Sequence, residues 1–102
     1  MYPLRILFDS DEEISVPAVM AVSVPKRLFK HAVDRNLLKR RIREAYRLHK
    51  PELFASLGKA GIHCQMVIQF RGREIESYHS IEEKLQDALK KLINRLSEEI
   101  SE

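Results

Sequence analysis

The residues best suited to chemistry lie between Asp34 and Arg47, in a stretch with the sequence DRNLLKRRIREAYR. At ~100° per residue, its polar and apolar side chains fall in separate arcs of a helical wheel. The polar arc holds Arg35, Asn36, Lys39, Arg40, Arg43 and Arg47. The apolar arc holds Leu38, Ile42, Ala45 and Tyr46. This pattern predicts a helix that buries one side and presents a row of cations to solvent.

The cations of this predicted helix would repel one another, since like charges four residues apart each cost roughly 0.2–0.5 kcal/mol. A solvated charged face is the ordinary interpretation of a charge run. Here most of the cations are arginines, whose planar guanidinium matches phosphate, and Glu44 is the only acid between Arg35 and Arg47. We therefore favour a phosphate-binding helix. Arg41 lies on another side of the wheel, where it contacts either a second nucleic-acid segment or only solvent.

The chain has 102 residues and a net charge of +3, and 44% of its residues are hydrophobic, as expected for one globular domain. The charge is unevenly distributed, because residues 26–50 carry ten of the 18 cations and two of the 15 acids. Lys26, Arg27 and Lys30 extend the basic surface ahead of the helix. Such a local field suits nucleic acid, with an acidic membrane surface as the weaker alternative.

A single cysteine, Cys64, excludes an intrachain disulfide and a thiolate zinc cage. The sequence has no signal peptide and no apolar run near the ~20 residues that span a bilayer, so we expect a cytoplasmic protein without membrane contact.

The four histidines are scattered, and no carboxylate cluster suits two-metal hydrolysis. A pair of histidines acting as acid and base stays conceivable, but the pattern supplies no partner geometry. The acidic run at residues 9–13 indicates an exposed turn rather than a metal site.

Alternating apolar residues predict a first strand from Leu4 to Phe8 and a second after Pro17. Both faces of the second strand are small or apolar, which predicts a central strand, joined to the first by a hairpin. The basic helix begins near Leu28 or at Asp34, whose carboxylate would cap it. Pro51 ends this helix or starts a new turn, with residues 52–57 as a short extension.

A third strand is predicted from Ile62 to Phe70, with every second residue on a buried face. Ser80 and Glu83 match a capping box, which opens a second helix. An apolar stripe along that helix predicts core packing: Ile81, Leu85, Ala88, Leu89, Leu92, Ile93 and Leu96. The predicted order β-β-α-β-α gives an α+β fold with a small sheet and helices.

The basic residues, placed between two strands, resemble the signature of the bacterial ribonuclease P protein subunit. The matching positions are Lys26-Arg27, Lys30, Ala32, Arg35-Asn36, Lys39-Arg40 and Arg43-Glu44. The resemblance covers essentially the whole chain, from the strand at Leu4 to the helix ending near Ser97, as one domain over residues 1–102. It departs at the amino terminus, where family members have a helix before the first strand and this sequence has none.

This resemblance implies the protein partner of a catalytic RNA, and so a subunit of an endoribonuclease that removes the 5′ leader of precursor tRNA. It implies that the RNA subunit uses Mg²⁺, that the chain itself holds no catalytic residue or metal, and that no obligate protein partner is needed. The RNA-binding residues would be Lys26, Arg27, Lys30, Arg35, Asn36, Lys39, Arg40, Arg43 and Arg47. It also implies a left-handed βαβ crossover through the basic helix, as in domain 2 of ribosomal protein S5, although the general rule is right-handed.

A cleft beside the sheet would receive the unpaired leader, whose bases stack on aromatic rings in any sequence. Tyr2, Phe8, Phe70 and Tyr78 are the candidates, and each could equally be a core residue. Two other classes stay open. One is a ribosomal-type protein that binds structured RNA without a nuclease role. The other is a sequence-specific DNA binder, which is disfavoured because no helix-turn-helix spacing precedes the basic helix.

Overall fold

A computed structural model of the chain describes residues 2–101, with side chains described for residues 2–96. Three strands and two helices follow one another along the chain. They are β1 (Leu4–Ser10), β2 (Ala18–Ser23), α1 (Ala32–Ala60), β3 (Cys64–Phe70) and α2 (Tyr78–Ser101). The architecture is α+β, with one small mixed sheet and two helices.

The sheet has the order β1-β3-β2, so the last strand in sequence lies in the middle. Ile68 of β3 faces Ile6 of antiparallel β1 on one side and Val22 of parallel β2 on the other. The predicted hairpin between the first two strands is therefore wrong, and so is the central position predicted for β2. The apolar second face of β2 misled the prediction, because it is open to solvent at an edge strand, with Val19 50% exposed.

Both helices cover the same face of the sheet. Alternate residues of β3, from Cys64 to Phe70, are buried beneath them, as the period of two predicts. Helix α1 packs against β2, α2 packs against β1, and the helices pack against each other. The other face of the sheet is open to solvent, and the side chains opposite the buried set lie there. We call this the open face; it includes Arg5, Leu7, Val19, Gln65, Val67 and Gln69.

Helix α1 begins at Ala32, between the two predicted starts, and His31 is its N-cap residue without a side-chain hydrogen bond. Asp34 therefore does not cap the helix. It lies in the first turn, where its carboxylate interacts favourably with the helix dipole. The start is set by the preceding loop, in which the N–H groups of Leu28 and Phe29 donate to the carbonyl of Pro25.

Helix α1 continues through Pro51 to Ala60 instead of ending there. An interior proline costs about 3 kcal/mol, but burying Leu53 and Leu57 on the stripe begun by Leu38 and Ile42 recovers about 1.5–3 kcal/mol for each side chain. The helix ends at Gly61, whose φ of 68° is the left-handed conformation that glycine adopts without strain.

Helix α2 begins at Tyr78, two residues before the predicted capping box. Ser77 is the residue that caps it, because its Oγ accepts the N–H of Ser80 at 3.1 Å. The Ser80 hydroxyl instead hydrogen-bonds the carboxylate of Glu76, also at 3.1 Å. The predicted apolar stripe is confirmed, since all its residues are buried except Ile93, which packs against the core while partly exposed.

Candidate nucleic-acid interface

The outward side of α1 carries the polar arc predicted from the sequence. Leu38, Ile42 and Ala45 have no exposed surface, and this fixes the rotation of the helix on the sheet. The opposite side then faces solvent. We call it the basic face; it consists of Asn36, Lys39, Arg40, Arg43 and Arg47. All of these are exposed except Lys39, which is half-buried.

Three of the cations on the basic face have no protein partner among the described residues. Lys39, Arg40 and Arg43 take part in none of the ion pairs or hydrogen bonds found there. Arg47 differs, because it forms an exposed ion pair with Glu44 one turn earlier, and this hydrogen bond raises the pKa of the guanidinium. Unpaired cations in one row concentrate positive potential, which is the property a polyanion recognises.

Arg35 contacts the protein rather than solvent alone. It is half-buried, and its Nη1 donates to the carbonyls of Phe29 at 2.7 Å and Lys30 at 3.0 Å. These bonds hold the loop between β2 and α1, which Phe29 also anchors through its buried ring. Lys26, Arg27 and Lys30 are exposed on that loop. Arg35 thus positions the neighbouring cations in addition to carrying a charge.

Arg41 is also turned toward the protein. Its Nη1 donates to the main-chain carbonyl of Glu76 at 2.5 Å, in the loop that leads from β3 into α2. This bond joins two segments that are 35 residues apart in the sequence. Neither of the two roles considered from the sequence describes it, because Arg41 ties the start of α2 to α1.

The four aromatic candidates for a leader cleft lie in different parts of the molecule. Phe70 is 0% exposed and packs against Phe29 with ring centroids 5.7 Å apart, so it is a core residue. Phe8 is half-buried and shares the helix-covered face of the sheet with Phe70. Tyr2 is 71% exposed at the start of the chain. The structure therefore does not bring these rings together into one cleft.

Tyr78 lies beside α1, at the junction of the two helices, and its hydroxyl is buried without a hydrogen-bond partner among the described residues. Burial raises the pKa of Tyr78. The carboxylates of Glu82 and Glu44 raise it further, and the Arg47 guanidinium opposes them. Tyr78 therefore borders the end of the basic face rather than the sheet.

A second basic site, which the sequence analysis missed, lies where β2 and β3 leave the sheet. Arg27, Arg71 and Arg73 line an open depression of about 540 Å³, together with Pro25, Leu28 and Gln69. We call it the arginine cleft. Its three guanidinium groups come from two loops more than 40 residues apart, so no local period reveals them. The sequence places Arg27 on the basic surface ahead of α1, but it gives no signal that Arg71 and Arg73 lie beside it.

The sequence model of a protein family described as Ribonuclease P matches residues 3–95 of this chain, and so covers the sheet, α1, most of α2 and both basic sites. The chain belongs to the ribonuclease P protein family.

Curated relatives in the family agree with this assignment. The ribonuclease P protein component of Porphyromonas gingivalis W83 is 36% identical over 90 residues, which are 87% of this chain and 66% of the relative. That of Chlorobium phaeobacteroides is 38% identical over 96 residues, with 87% and 65% covered. That of Chlorobaculum tepidum is 36% identical over 88 residues, with 79% and 57% covered. The chain thus spans about two thirds or less of the length of these relatives. No solved structure matches it.

Within this ribonuclease P family chain, the described residues contain no group of three His, Cys, Asp or Glu side chains that could hold a metal ion. His49 and His79 approach Glu82 and Glu83 of α2 at 3.5 and 3.3 Å. His63 hydrogen-bonds the carbonyl of Ile14 through Nδ1. No helix in the described part of the chain is long and apolar enough to cross a membrane. The two basic sites are therefore the features on which a functional proposal can rest.

Proposed function

We propose that this chain is the protein subunit of a ribonuclease P and binds the catalytic RNA through the basic face of α1. The observation that carries the proposal is the row formed by Lys39, Arg40 and Arg43, which have no protein partners among the described residues. Phosphates of a folded RNA would neutralise this row. Each phosphate contact should steepen the salt dependence of binding by ~0.7–0.9 log units per log unit of salt.

We further propose that the 5′ leader of precursor tRNA lies across the arginine cleft and the open face of the sheet. The cleft supplies three guanidinium groups for phosphates. The open face adjoins it through Gln69 and carries a shallow depression of about 270 Å³, with exposed Leu7 and Val19 on its floor. An apolar floor next to cations suits unpaired nucleotides of any sequence. Of the predicted aromatics, Tyr2 is the most exposed, at 71%.

Hydrolysis in this proposal belongs to the RNA subunit and its magnesium ions. The chain contributes electrostatic stabilisation and orientation, which lower the concentration of Mg²⁺ needed to hold two polyanions together. The proposal places no metal ion on the protein. The β2-α1-β3 crossover is proposed to be left-handed, as the resemblance to ribosomal protein S5 domain 2 implies.

Reconstitution with a ribonuclease P RNA tests the function. Added protein should stimulate cleavage of a precursor tRNA at low Mg²⁺, and Arg43→Glu should abolish this stimulation while leaving thermal unfolding unchanged. Lys90→Glu is the matched control, because Lys90 is equally exposed but lies on α2. Binding of RNA without stimulated cleavage would instead favour a structured-RNA-binding protein of the ribosomal type. Repeating that outcome with a chain extended to the length of the relatives would overturn the proposal.

A further inference from the structure

Three depressions follow one another around the edge of the sheet, and each shares an arginine with the next. The arginine cleft shares Arg71 with a depression of about 390 Å³ that Tyr2, Leu4 and Arg5 also line. Arg5 in turn lines a third depression, of about 240 Å³, between β1 and α2. The third depression is lined by half-buried Phe8 and buried Leu92, and also by the exposed cations Lys91 and Arg95. Together they form a continuous path from the loop after β2 to α2.

This path is basic throughout. Among the described residues, its lining includes six cations and no acid: Arg27, Arg73, Arg71, Arg5, Lys91 and Arg95. A chain with 18 cations and 15 acids would mix the two signs if they were placed without constraint. Arg5 and Lys91 make no ion pair or hydrogen bond within the part of the chain that the structure describes. Cations that follow one another in a row create a line of positive electrostatic potential. A linear polyanion can bind along such a line.

Aromatic rings accompany the cations at two places on the path. Tyr2 is exposed in the second depression, and half-buried Phe8 lines the third. Alternation of cations with aromatic rings is typical of surfaces that bind single-stranded nucleic acid, because phosphates pair with the cations and bases stack on the rings. An acidic peptide would use the cations but would gain nothing from the rings.

We propose that α2 forms a further RNA contact, in which a single strand leaves the arginine cleft, follows the edge of β1 and ends against Lys91. This inference rests on the proposed function, since that function makes RNA the polyanion. It adds a surface that lies on a different helix from the basic face. The strand is either the distal part of a long leader or an unpaired segment of the RNA subunit.

A charge reversal at Lys91 with a control at the adjacent Lys90 tests the contact. Lys90 is also exposed on α2, but it lines a separate depression with His49 and Leu53 between the helices. The probe is a fluorescein-labelled oligouridylate of about 16 nucleotides, with one of about 4 nucleotides as the short form, since these lengths bracket common single-strand sites. Anisotropy titrations at several salt concentrations give both the dissociation constant and its salt slope.

Lys91→Glu should weaken binding of the long probe about fivefold and lower the salt slope by about 0.7. The short probe should bind both variants as it binds the unmodified protein, because it is satisfied within the arginine cleft. Lys90→Glu should change either dissociation constant by less than about twofold, the difference expected for a charge outside the path. Lys91→Gln removes the charge of Lys91 without adding an acid. It should weaken binding of the long probe as well, but by less than Lys91→Glu.

Equal effects of Lys90→Glu and Lys91→Glu would overturn the inference, and so would failure of the unmodified chain to bind the long probe. Equal binding of an oligoglutamate of matched length would also overturn it, since the path would then accept any polyanion. None of these results depends on stimulated cleavage. The further contact and the proposed function are therefore tested by independent experiments.

Precursor tRNAs with short and long leaders then distinguish the two sources of the strand. A Lys91→Glu defect that grows with leader length assigns the strand to the leader. A defect of constant size that is present with the RNA subunit assigns it to that RNA.

Discussion

The arginines of α1 occupy two regions of the molecule that differ in what their guanidinium groups contact. On the flanks, Arg35 and Arg41 donate to main-chain carbonyls of the loops that follow β2 and β3. On the basic face, Arg40 and Arg43 have no partner among the described residues. Arg40 and Arg41 are neighbours in the sequence, yet only Arg40 has no protein partner among the described residues, as the proposed RNA contact requires. One residue type therefore has two different surroundings on the same helix.

Arg41→Ala should give the largest change in stability. It removes a charged donor from the half-buried carbonyl of Glu76, and such a loss costs about 1–3 kcal/mol. Urea unfolding should show the loss, while binding of RNA at a temperature where both proteins are folded should be unchanged. Arg40→Ala is the control and should show the reverse, with weaker binding and an unfolding free energy unchanged within ~0.5 kcal/mol. If Arg41→Ala instead weakened RNA binding and Arg40→Ala lowered the free energy of unfolding, the assignment of α1 arginines to two regions would be wrong.

The difference between Arg40 and Arg41 also shows which features of the structure the sequence could predict and which it could not. Local period predicted the buried side of α1 and the buried face of β3, because both follow from repeats of 3.6 and two residues. It could not predict that Arg41 hydrogen-bonds Glu76, or that Arg27 and Arg71 line one depression, because these pairs come from distant segments. The prediction of the strand order was wrong for the same reason, since β3 lies between two strands that are consecutive in the chain.

The dispersed positions of the four aromatic candidates have a different cause. Phe8 and Phe70 share the strand parity of buried Ile6 and Ile68, so the period of two already placed them on the covered face. The same parity places Arg5, Leu7 and Gln69 on the open face, across which we propose that the leader lies.

Arg35→Lys should have the next largest effect on stability. It tests whether Arg35, like Arg41, acts mainly through its hydrogen bonds to main-chain carbonyls. Lysine keeps the charge but lacks the planar guanidinium, so it should not bridge the carbonyls of Phe29 and Lys30. We expect a loss of about 1 kcal/mol in urea unfolding. RNA binding should also weaken, and combination with Lys30→Ala should add less than the sum of the single effects, because Arg35 acts partly through Lys30. Additive losses would assign Arg35 to the basic face as an independent phosphate contact.

Alkaline pH should separate the buried side of α1 from its basic face. Burial, and secondarily the nearby Cys64, raises the pKa of Tyr46, and burial raises the pKa of Cys64. Since the folded state then holds these protons more tightly than the unfolded state, their stabilisation is complete below the unfolded values, about 8.5 for Cys and 10 for Tyr. It is lost as the pH rises through the higher folded values.

Urea unfolding between neutral pH and about pH 10.5 measures this loss. Tyr46→Phe should flatten the upper part of the profile, and it should not destabilise the protein at neutral pH, because the hydroxyl has no partner in the described structure. The arginines of the basic face stay charged over this range. A profile that is flat in the unmodified protein would contradict the raised pKa values.

Glu44→Gln should have the smallest effect on stability and tests how the basic face is tuned. Glu44 and Arg47 form their ion pair in solvent, with the two side chains 49% and 70% exposed, and such pairs contribute little to folding. Unfolding should therefore be unchanged. The substitution removes the one acid that pairs with a cation of the basic face in the part of the chain that the structure describes. RNA affinity should therefore rise about twofold to threefold, and the salt slope should steepen slightly. Glu52→Gln, which changes an exposed acid farther along α1, is the control and should leave affinity unchanged. If Glu44→Gln instead weakened binding, the ion pair would be holding Arg47 in its binding position, and Arg47 would belong with the positioned arginines of the flanks.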